Sequence, residues 1–389
     1  MSYQSFVKNR VSIIIPTYNY SQYILDAISS VFQQDYLDIE IIVVDDGSTD
    51  ATRKVLQPYV RRIKYIYQEN AGLSAARNTG IAASTGEFVQ FLDADDILGV
   101  NTVKSQVTYL KTHPEISVAV MKNKLFKSKN IKGHLEIVGS WALPMTNLDV
   151  HLCYFNIAPP HAFMFKRQVI METGQFDTRL TACEDYDYWL RAVVAGFVPH
   201  YNPVGEVYYR KHSKSMSSNL SNQYFHDAIL HKRLSILLDK YHDFPVNRRL
   251  EGLLAFVSGC LLTANRLFAR GISGSVDLVK LALKYLEEIE DCIINQDEKL
   301  DILIMLFCAR IIHYLHMLEI SVAPETAEAC KMVENILESL GLPLSMQRFF
   351  WACMKSVVSG SRIYTVERKE LAALTVRELG CRFFCRGSA

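Results

Sequence analysis

Several features are missing from this 389-residue chain, and each absence removes a class of function. There is no excess charge of either sign: 42 Lys and Arg stand against 41 Asp and Glu, a formal net charge of +1. A chain so balanced has no global basic field, and nucleic acid is not expected as a partner. Glycine-rich phosphate loops are missing too. No Gly-x-Gly-x-x-Gly follows the first predicted strand, and no Gly-Lys-Ser or Gly-Lys-Thr occurs, which argues against dinucleotide and P-loop binding. No cysteine precedes Cys153, and the chain's nine are an odd number without metal-finger spacing; they read as reduced thiols in a cytosolic setting. The first ten residues, MSYQSFVKNR, lack the apolar core of a signal peptide. Of the two most apolar stretches, Gly252 to Leu262 is too short to span a bilayer, and Ile302 to Ile320 is broken by Arg310, His313 and His316. Buried helices are expected there, in a cytoplasmic protein with room for peripheral contact at the inner membrane face.

What is present is an alternation of strand and helix. Val11 to Ile15 (VSIII) and Ile39 to Val44 (IEIIVV) are continuous β-branched runs, as strands buried on both faces require. Ile63 to Tyr67 alternates like a strand, and Glu87 to Leu92 is a strand ending at Asp93. Between them, Tyr23 to Phe32, Ala51 to Val60 (with Asp50 as N-cap), Leu73 to Ala83 and Val100 to Lys111 have helical spacing. A further strand is expected at Ile116 to Met121, then loops and short strands from Lys122 to Pro160, and a strand at Ala162 to Lys166. Such alternation predicts a mostly parallel, doubly wound sheet with ligands at the carboxyl ends of its strands. Thr181 to Ala195 reads as a helix, with Thr181 and Glu184 at capping-box spacing and Trp189 on the apolar face. After about Leu220 the pattern becomes helical throughout. Amphipathic stretches run over Tyr224–Tyr241, Leu250–Arg270, Val276–Ile289, Lys299–Leu318 and Pro324–Leu340. The expected organisation is an N-terminal extension (1–10), a catalytic domain (11–220) and a helical C-terminal domain (221–389).

The acidic clusters fall at strand ends: Asp45 and Asp46 after the second strand, Asp93, Asp95 and Asp96 after the fourth. Carboxylates crowded on one sheet edge repel one another, and either their pKa values rise or they recruit a cation. Mg2+ or Mn2+ suits hard oxygen ligands and commonly shares one or two carboxylates with a substrate diphosphate, whose departure it also eases. The pattern suggests a nucleoside-diphosphate substrate. Tyr18, in Pro16-Thr17-Tyr18-Asn19 at the first strand end, is suited to stacking on a base.

These segments, with Asp45-Asp46-Gly47-Ser48-Thr49-Asp50, Asn70 to Asn78 (NAGLSAARN), Asp93-Ala94-Asp95-Asp96, Gly174-Gln175-Phe176-Asp177 and Glu184 to Arg191 (EDYDYWLR), occur in the order found in family 2 glycosyltransferases. The resemblance covers roughly Val11 to Ser217. It implies a GT-A fold, Rossmann-like with a mostly parallel sheet flanked by helices, here followed by an all-α C-terminal domain. It further implies metal-dependent, inverting hexosyl or N-acetylhexosaminyl transfer from a nucleotide-sugar donor, with uridine the default base and guanosine and thymidine open. The acceptor class is a saccharide, lipid-linked or protein hydroxyl in polysaccharide, glycolipid or glycoprotein synthesis. By motif, Pro16, Thr17, Tyr18 and Asp46 belong to the nucleobase pocket, Asp93 and Ala94 to the donor site, Asp95 to the metal and Asp185 to the general base. His212, in Tyr209 to Ser217 (YRKHSKSMS), is placed to ligate the metal, and Arg210 or Lys214 to meet phosphate oxygens. Arg77 is set to hold either phosphate or a neighbouring carboxylate. Glu184 is accounted for by its capping box, Asp187 by an i,i+4 pair with Arg191, and His161 either borders the acceptor pocket or lies in a surface turn. The helical half is suited to acceptor binding, homo-oligomerisation or membrane docking. The competing readings are a scaffold protein whose sugar-nucleotide site has lost turnover, and a nucleotidyltransferase, which would need a Gly-rich basic loop where Tyr18-Asn19-Tyr20 stands.

Overall fold

The computed structural model describes residues 6–127, 135–141, 143–213, 215–216, 219–238 and 246–294. The expected helices at 299–318 and 324–340 lie outside them. The chain divides into two compact units between His226 and Asp227.

The first unit is built on β1 (Val7–Thr17), β2 (Ile39–Asp46), β3 (Lys64–Gln68) and β4 (Gly86–Phe91), all mutually parallel, with β1 between β2 and β4. Val11 to Thr17 is buried residue after residue, the signature of a central strand covered on both faces. α1 (Ile24–Phe32), α2 (Thr52–Leu56), α3 (Leu73–Ala83) and α4 (Thr102–Thr112) fill the crossovers and the return from the sheet. α2 is shorter than its sequence suggests. Pro58 has no N–H to offer, and the segment tightens into a 3-10 turn over Gln57–Tyr59. The N-cap of α2 is Ala51 rather than Asp50, without a side-chain cap; Asp50 stands one residue earlier, where its Oδ1 accepts the Thr52 N–H at 2.9 Å. α3 lies unusually close to β1, because Gly80 faces Ile14 with no room for a Cβ, which would stand 2.2 Å from Ile14 Cγ2. That close approach brings Arg77, one turn earlier on α3, down over the strand ends.

The far side of the sheet departs from parallel order. β5 (Ile97–Leu98), unseen in the sequence, opens a second sheet. β6 (Val118–Val120) belongs to the main one, and β7 (Asn123–Lys127) and β8 (Glu136–Ser140) form an antiparallel pair beside it in chain order. After α5 (Leu148–Tyr154), β9 (Phe163–Lys166) inserts antiparallel between β4 and β6. α6 (Arg167–Thr173) and α7 (Glu184–Val194) follow, then β10 (Pro199–Tyr201) and β11 (Val207–Arg210). The main sheet has the order β10-β6-β9-β4-β1-β2-β3 and the small one β5-β11-β7-β8. α7 is anchored by aromatic stacking: Trp189 lies 4.4 Å from Phe163 and 5.2 Å from Phe165, and Tyr188 4.2 Å from Phe176, centroid to centroid. Trp189 is core, as its spacing implies. Each such ring pair adds about 0.5–1.5 kcal/mol to what burial supplies.

α8 (Leu220–Leu238) runs from the first unit into the second, where α9 (Val246–Phe268) and α10 (Ser275–Ile294) pair. Within the second unit Phe256 meets Tyr285 edge-on at 4.8 Å, and the Tyr285 hydroxyl donates to the Ser235 carbonyl. Among the described residues one helix is long and apolar enough to cross a membrane. Its stretch Leu250–Leu267 is 83% buried inside the protein, as a core helix is.

Candidate active site

Three strand ends and one helix start converge. Asp45 at the end of β2 is fully buried; its Oδ1 accepts the Ser48 N–H and its Oδ2 the Tyr65 hydroxyl. Asp46 takes three donors, Gln68 Nε2 at 2.7 Å, Ala71 N–H at 3.0 Å and Gly72 N–H at 2.8 Å. A carboxylate offers about four acceptor positions, so one remains. Asn19, at φ +59°, accepts the N–H groups of Thr49 and Asp50, tying the Pro16–Asn19 loop to the Asp45–Asp50 loop. Gly47 adopts φ +82° with Asn70 N only 2.8 Å from where a Cβ would sit. Gly47→Ala is therefore expected to cost about 1–3 kcal/mol, read as a lowered denaturation midpoint. Inside this loop cluster Thr17 is buried, with no hydrogen-bond partner for its Oγ1 among the described residues, and Tyr18 is 45% exposed.

The turn after β4 carries the acidic motif. Ala94 is buried and points its methyl inward, so Asp93 and Asp95 flank it on the open side. Asp95 Oδ2 lies 2.8 Å from His212 Nε2. That contact is a hydrogen bond; neighbouring ligands on an octahedral ion with bonds of ~2.1 Å stand about 3 Å apart, so a hard cation could replace the shared proton with little movement of either side chain. No group of three or more His, Cys, Asp or Glu poised for a metal occurs among the described residues. Tyr20 and Tyr23 wall the pair, with Tyr23 4.8 Å from the His212 ring. Burial and the nearby Asp95 and Asp93 raise the Tyr20 hydroxyl pKa, so it stays protonated and able to donate.

Behind the pair the acids are neutralised. Arg210 is buried; its backbone N–H bonds Asp96 Oδ1, its Nε the Asp95 carbonyl and its Nη2 Asp26 Oδ2. Its guanidinium braces the motif from beneath, which leaves the expected phosphate contact unsupported; Lys214 lies outside the described residues. Asp96 is itself buried, 3.1 Å from His161 Nδ1. Burial first, then Asp95 and Asp93, push Asp96 well above the usual carboxylate range, while burial lowers His161 to about 4. The two side chains are close without a hydrogen bond between them, since Asp96 Oδ2 and both His161 ring nitrogens have no hydrogen-bond partner among the described residues. The surface-turn reading of His161 fails, because Pro159-Pro160 turns the chain inward ahead of β9 and leaves the ring with no exposure.

The largest departure from the sequence reading is at α7. Thr181 and Glu184 do not form a capping box. Cys183 takes the N-cap position in the left-handed region, φ +57°, with no side-chain cap; Thr181 Oγ1 faces His226 Nε2 instead, at 3.3 Å. The freed Glu184 turns inward and accepts Arg77 Nη1 at 2.6 Å, while Arg77 Nη2 reaches Asp93 Oδ1 at 2.8 Å. Of its two alternatives, Arg77 holds carboxylates. Burial alone would lower its pKa, but Asp93, Glu184 and Asp185 outweigh that and fix it as a cation. The signal that would have marked Glu184 is its charge beside Asp185, which needs a cation nearby. Asp187 does pair with Arg191, at 2.8 Å and largely buried.

Asp185, next along α7, keeps partial access to solvent. Its Oδ1 accepts the Tyr186 N–H at 2.7 Å and its Oδ2 the Asn156 Nδ2–H at 3.0 Å. Burial, aided by Glu184 and opposed by Arg77, Asn156 and Tyr186, moves it up to about 7, a proton affinity suited to acid–base work near neutrality. Arg77 thus joins the turn after β4, which bears Asp93 and Asp95, to the start of the helix that bears Glu184 and Asp185.

Known proteins resemble this chain in sequence and in fold. The model of the family "Glycosyl transferase family 2" matches residues 12–174. An uncharacterized glycosyltransferase of Rickettsia conorii is 32% identical over 216 residues, 54% of this chain; the chain spans only 36% of that relative's length. Another, from Haemophilus influenzae, is 30% identical over 272 residues, 63% of this chain and 84% of the relative. Among solved structures, S. aureus TarS 1-349 in complex with UDP-GlcNAc aligns over 91% of this chain and 93% of its own with a TM-score of 0.54 at 16% identity. That likeness shows a common GT-A-like α/β fold with a mostly parallel central sheet. With the family model and the Haemophilus relative in agreement, the chain belongs to the family 2 glycosyltransferases.

Proposed function

We propose that this glycosyltransferase moves a hexosyl or N-acetylhexosaminyl group, with inversion, from a nucleotide sugar to an acceptor hydroxyl, using a divalent cation and Asp185 as base. The observation that supports this reading is the Arg77 bridge between Asp93 and Glu184, which ties the turn that bears Asp95 to the helix start that bears Asp185.

The donor's base fits between Tyr18, whose exposed ring can stack on it, and the remaining acceptor position of Asp46. The unpartnered Thr17 hydroxyl is available to the ribose or base edge. Mg2+ or Mn2+ held by Asp95 and His212 would neutralise the diphosphate as it leaves. Asp185 accepts the acceptor's hydroxyl proton while that oxygen bonds the anomeric carbon from the face opposite the breaking carbon–diphosphate oxygen bond, which inverts the centre. UDP-N-acetylhexosamines are the first donors to try, since UDP-GlcNAc is what S. aureus TarS binds. The acceptor is proposed to be a saccharide, lipid-linked or protein hydroxyl. The site is proposed to face the cytoplasm, and the helical unit to serve acceptor capture, self-association or peripheral membrane contact.

Titration calorimetry with sugar nucleotides tests the donor half. Asp95→Ala removes the oxygen of a two-ligand pair and is expected to weaken metal-dependent binding by roughly 100-fold, while metal-free binding of the nucleoside stays as in the parent. Equal donor affinity for parent and variant in saturating Mn2+ would remove Asp95 as ligand.

A further inference from the structure

The stretch from Lys122 to Pro160 carries no motif, yet it supplies a neighbour of the base. Asn156 follows α5, and α5 is pinned to α7 through the Tyr186 hydroxyl, which donates to the Leu152 carbonyl. From there Asn156 donates its Nδ2–H to Asp185 Oδ2 at 3.0 Å, while the other carboxylate oxygen takes the Tyr186 N–H at 2.7 Å. One bond to each oxygen fixes the rotation of the carboxylate. Its lone pairs then keep one orientation, as a base that must meet an incoming hydroxyl requires. The second atom of the Asn156 amide is informative too. Its Oδ1 is buried and has no hydrogen-bond partner among the described residues, a costly arrangement unless a partner arises at some stage.

We propose that Asn156 is the positioning residue of the general base, serving both of its protonation states; the proposal rests on the reading of Asp185 as that base. In the ionised state Nδ2–H donates to Oδ2, as observed. When Asp185 has taken the acceptor's proton, a half-turn of the amide presents Oδ1 as acceptor to the new carboxyl O–H; this neutral bond is weaker than the charge-assisted one, so the net effect of Asn156 still favours the ionised form. The groups facing Asp185 from the surrounding elements are Glu184 beside it on α7, Arg77 from α3, the Tyr186 N–H and Asn156 itself. Glu184 disfavours the ionised form, and the other three favour it. Removing Asn156 deletes one of those three.

The test uses the full chain and follows nucleoside diphosphate release from the best-used sugar nucleotide, with water as acceptor, as a function of pH. Asn156→Ala is expected to leave KM for the donor unchanged, to lower kcat about tenfold at pH 7, and to move the acidic limb of the profile up by about one unit. Asn156→Asp keeps the shape but sets a second carboxyl against Asp185, and its limb should move further in the same direction. This variant also carries the test if Asn156→Ala loses donor binding through misfolding. An acidic limb in both variants that coincides with the parent's, while Asp185→Asn is inactive, overturns the positioning role and leaves the base assignment standing. Turnover by Asp185→Asn at the parent's rate overturns both.

Discussion

Asp185→Asn is expected to bind donor as the parent does and to lose turnover by roughly 10²–10⁴-fold. The amide fills the same volume and still accepts the Tyr186 N–H, so geometry is kept while the proton acceptor is lost. The parent's own pH profile follows from the same group. Asp185 is protonated below about 7, so kcat/KM should fall as pH drops through that value and level off above it. The stability effect runs the other way. A carboxyl whose folded pKa is raised above the unfolded one binds more protons in the folded state, so its contribution is full below about pH 4 and is lost as pH rises through about 7. Asp185→Asn does not ionise, and should therefore melt higher than the parent at pH 8, with the two converging at acid pH. A variant inactive yet more stable at pH 8 is what a functional, strained carboxylate predicts.

Arg77→Met is expected to have the largest effect on stability. The side chain is buried, and among the described residues it is the ion-pair partner of Glu184 while also reaching Asp93. Methionine fills much of the space but leaves a buried carboxylate unpaired, which costs about 3–5 kcal/mol. For a unit of this size that corresponds to roughly 10 °C in Tm, measurable by thermal unfolding. Arg77→Lys should recover only part of it, since one ammonium nitrogen does not span the two carboxylates that Nη1 and Nη2 of the guanidinium meet separately. The surviving activity should show its acidic limb displaced upward, because Arg77 also favours the ionised form of Asp185.

The strand–helix alternation through β4 was legible because β1, β2 and β4 are largely buried, which writes β-branched runs into β1 and β2 and an aromatic-rich one into β4. That Asp46 and Asp95 stand at or just past strand ends was legible for the same reason, since they follow such runs. The α7 start was misread because Thr181 and Glu184 have the spacing of a cap. A single left-handed residue, Cys183, turns Glu184 inward, and nothing local in the sequence announces a non-glycine residue there. The small sheet of β5, β7, β8 and β11 is built largely of distant pairings, Val207 with Leu98 and with Asn123, so short strands without a buried run left no periodic trace. His161 and Asn156 lie between α5 and β9, where the sequence carries no motif. Their importance comes from what the tertiary fold places against them, Asp96 in one case and Asp185 in the other.

The proposed function joins Asp95, His212 and Asp185 in one metal-dependent transfer site. The direct measurement is nucleoside diphosphate release from a panel of UDP-, GDP- and dTDP-sugars, in Mg2+ or Mn2+ and again in chelator, for the parent, Asp95→Ala and Asp185→Asn. The account predicts release with at least one sugar nucleotide, loss of that release in chelator and in both variants, and retained donor binding in Asp185→Asn alone. Binding without release for every donor in the parent, with metal present, would contradict it and point instead to a sugar-nucleotide-binding scaffold.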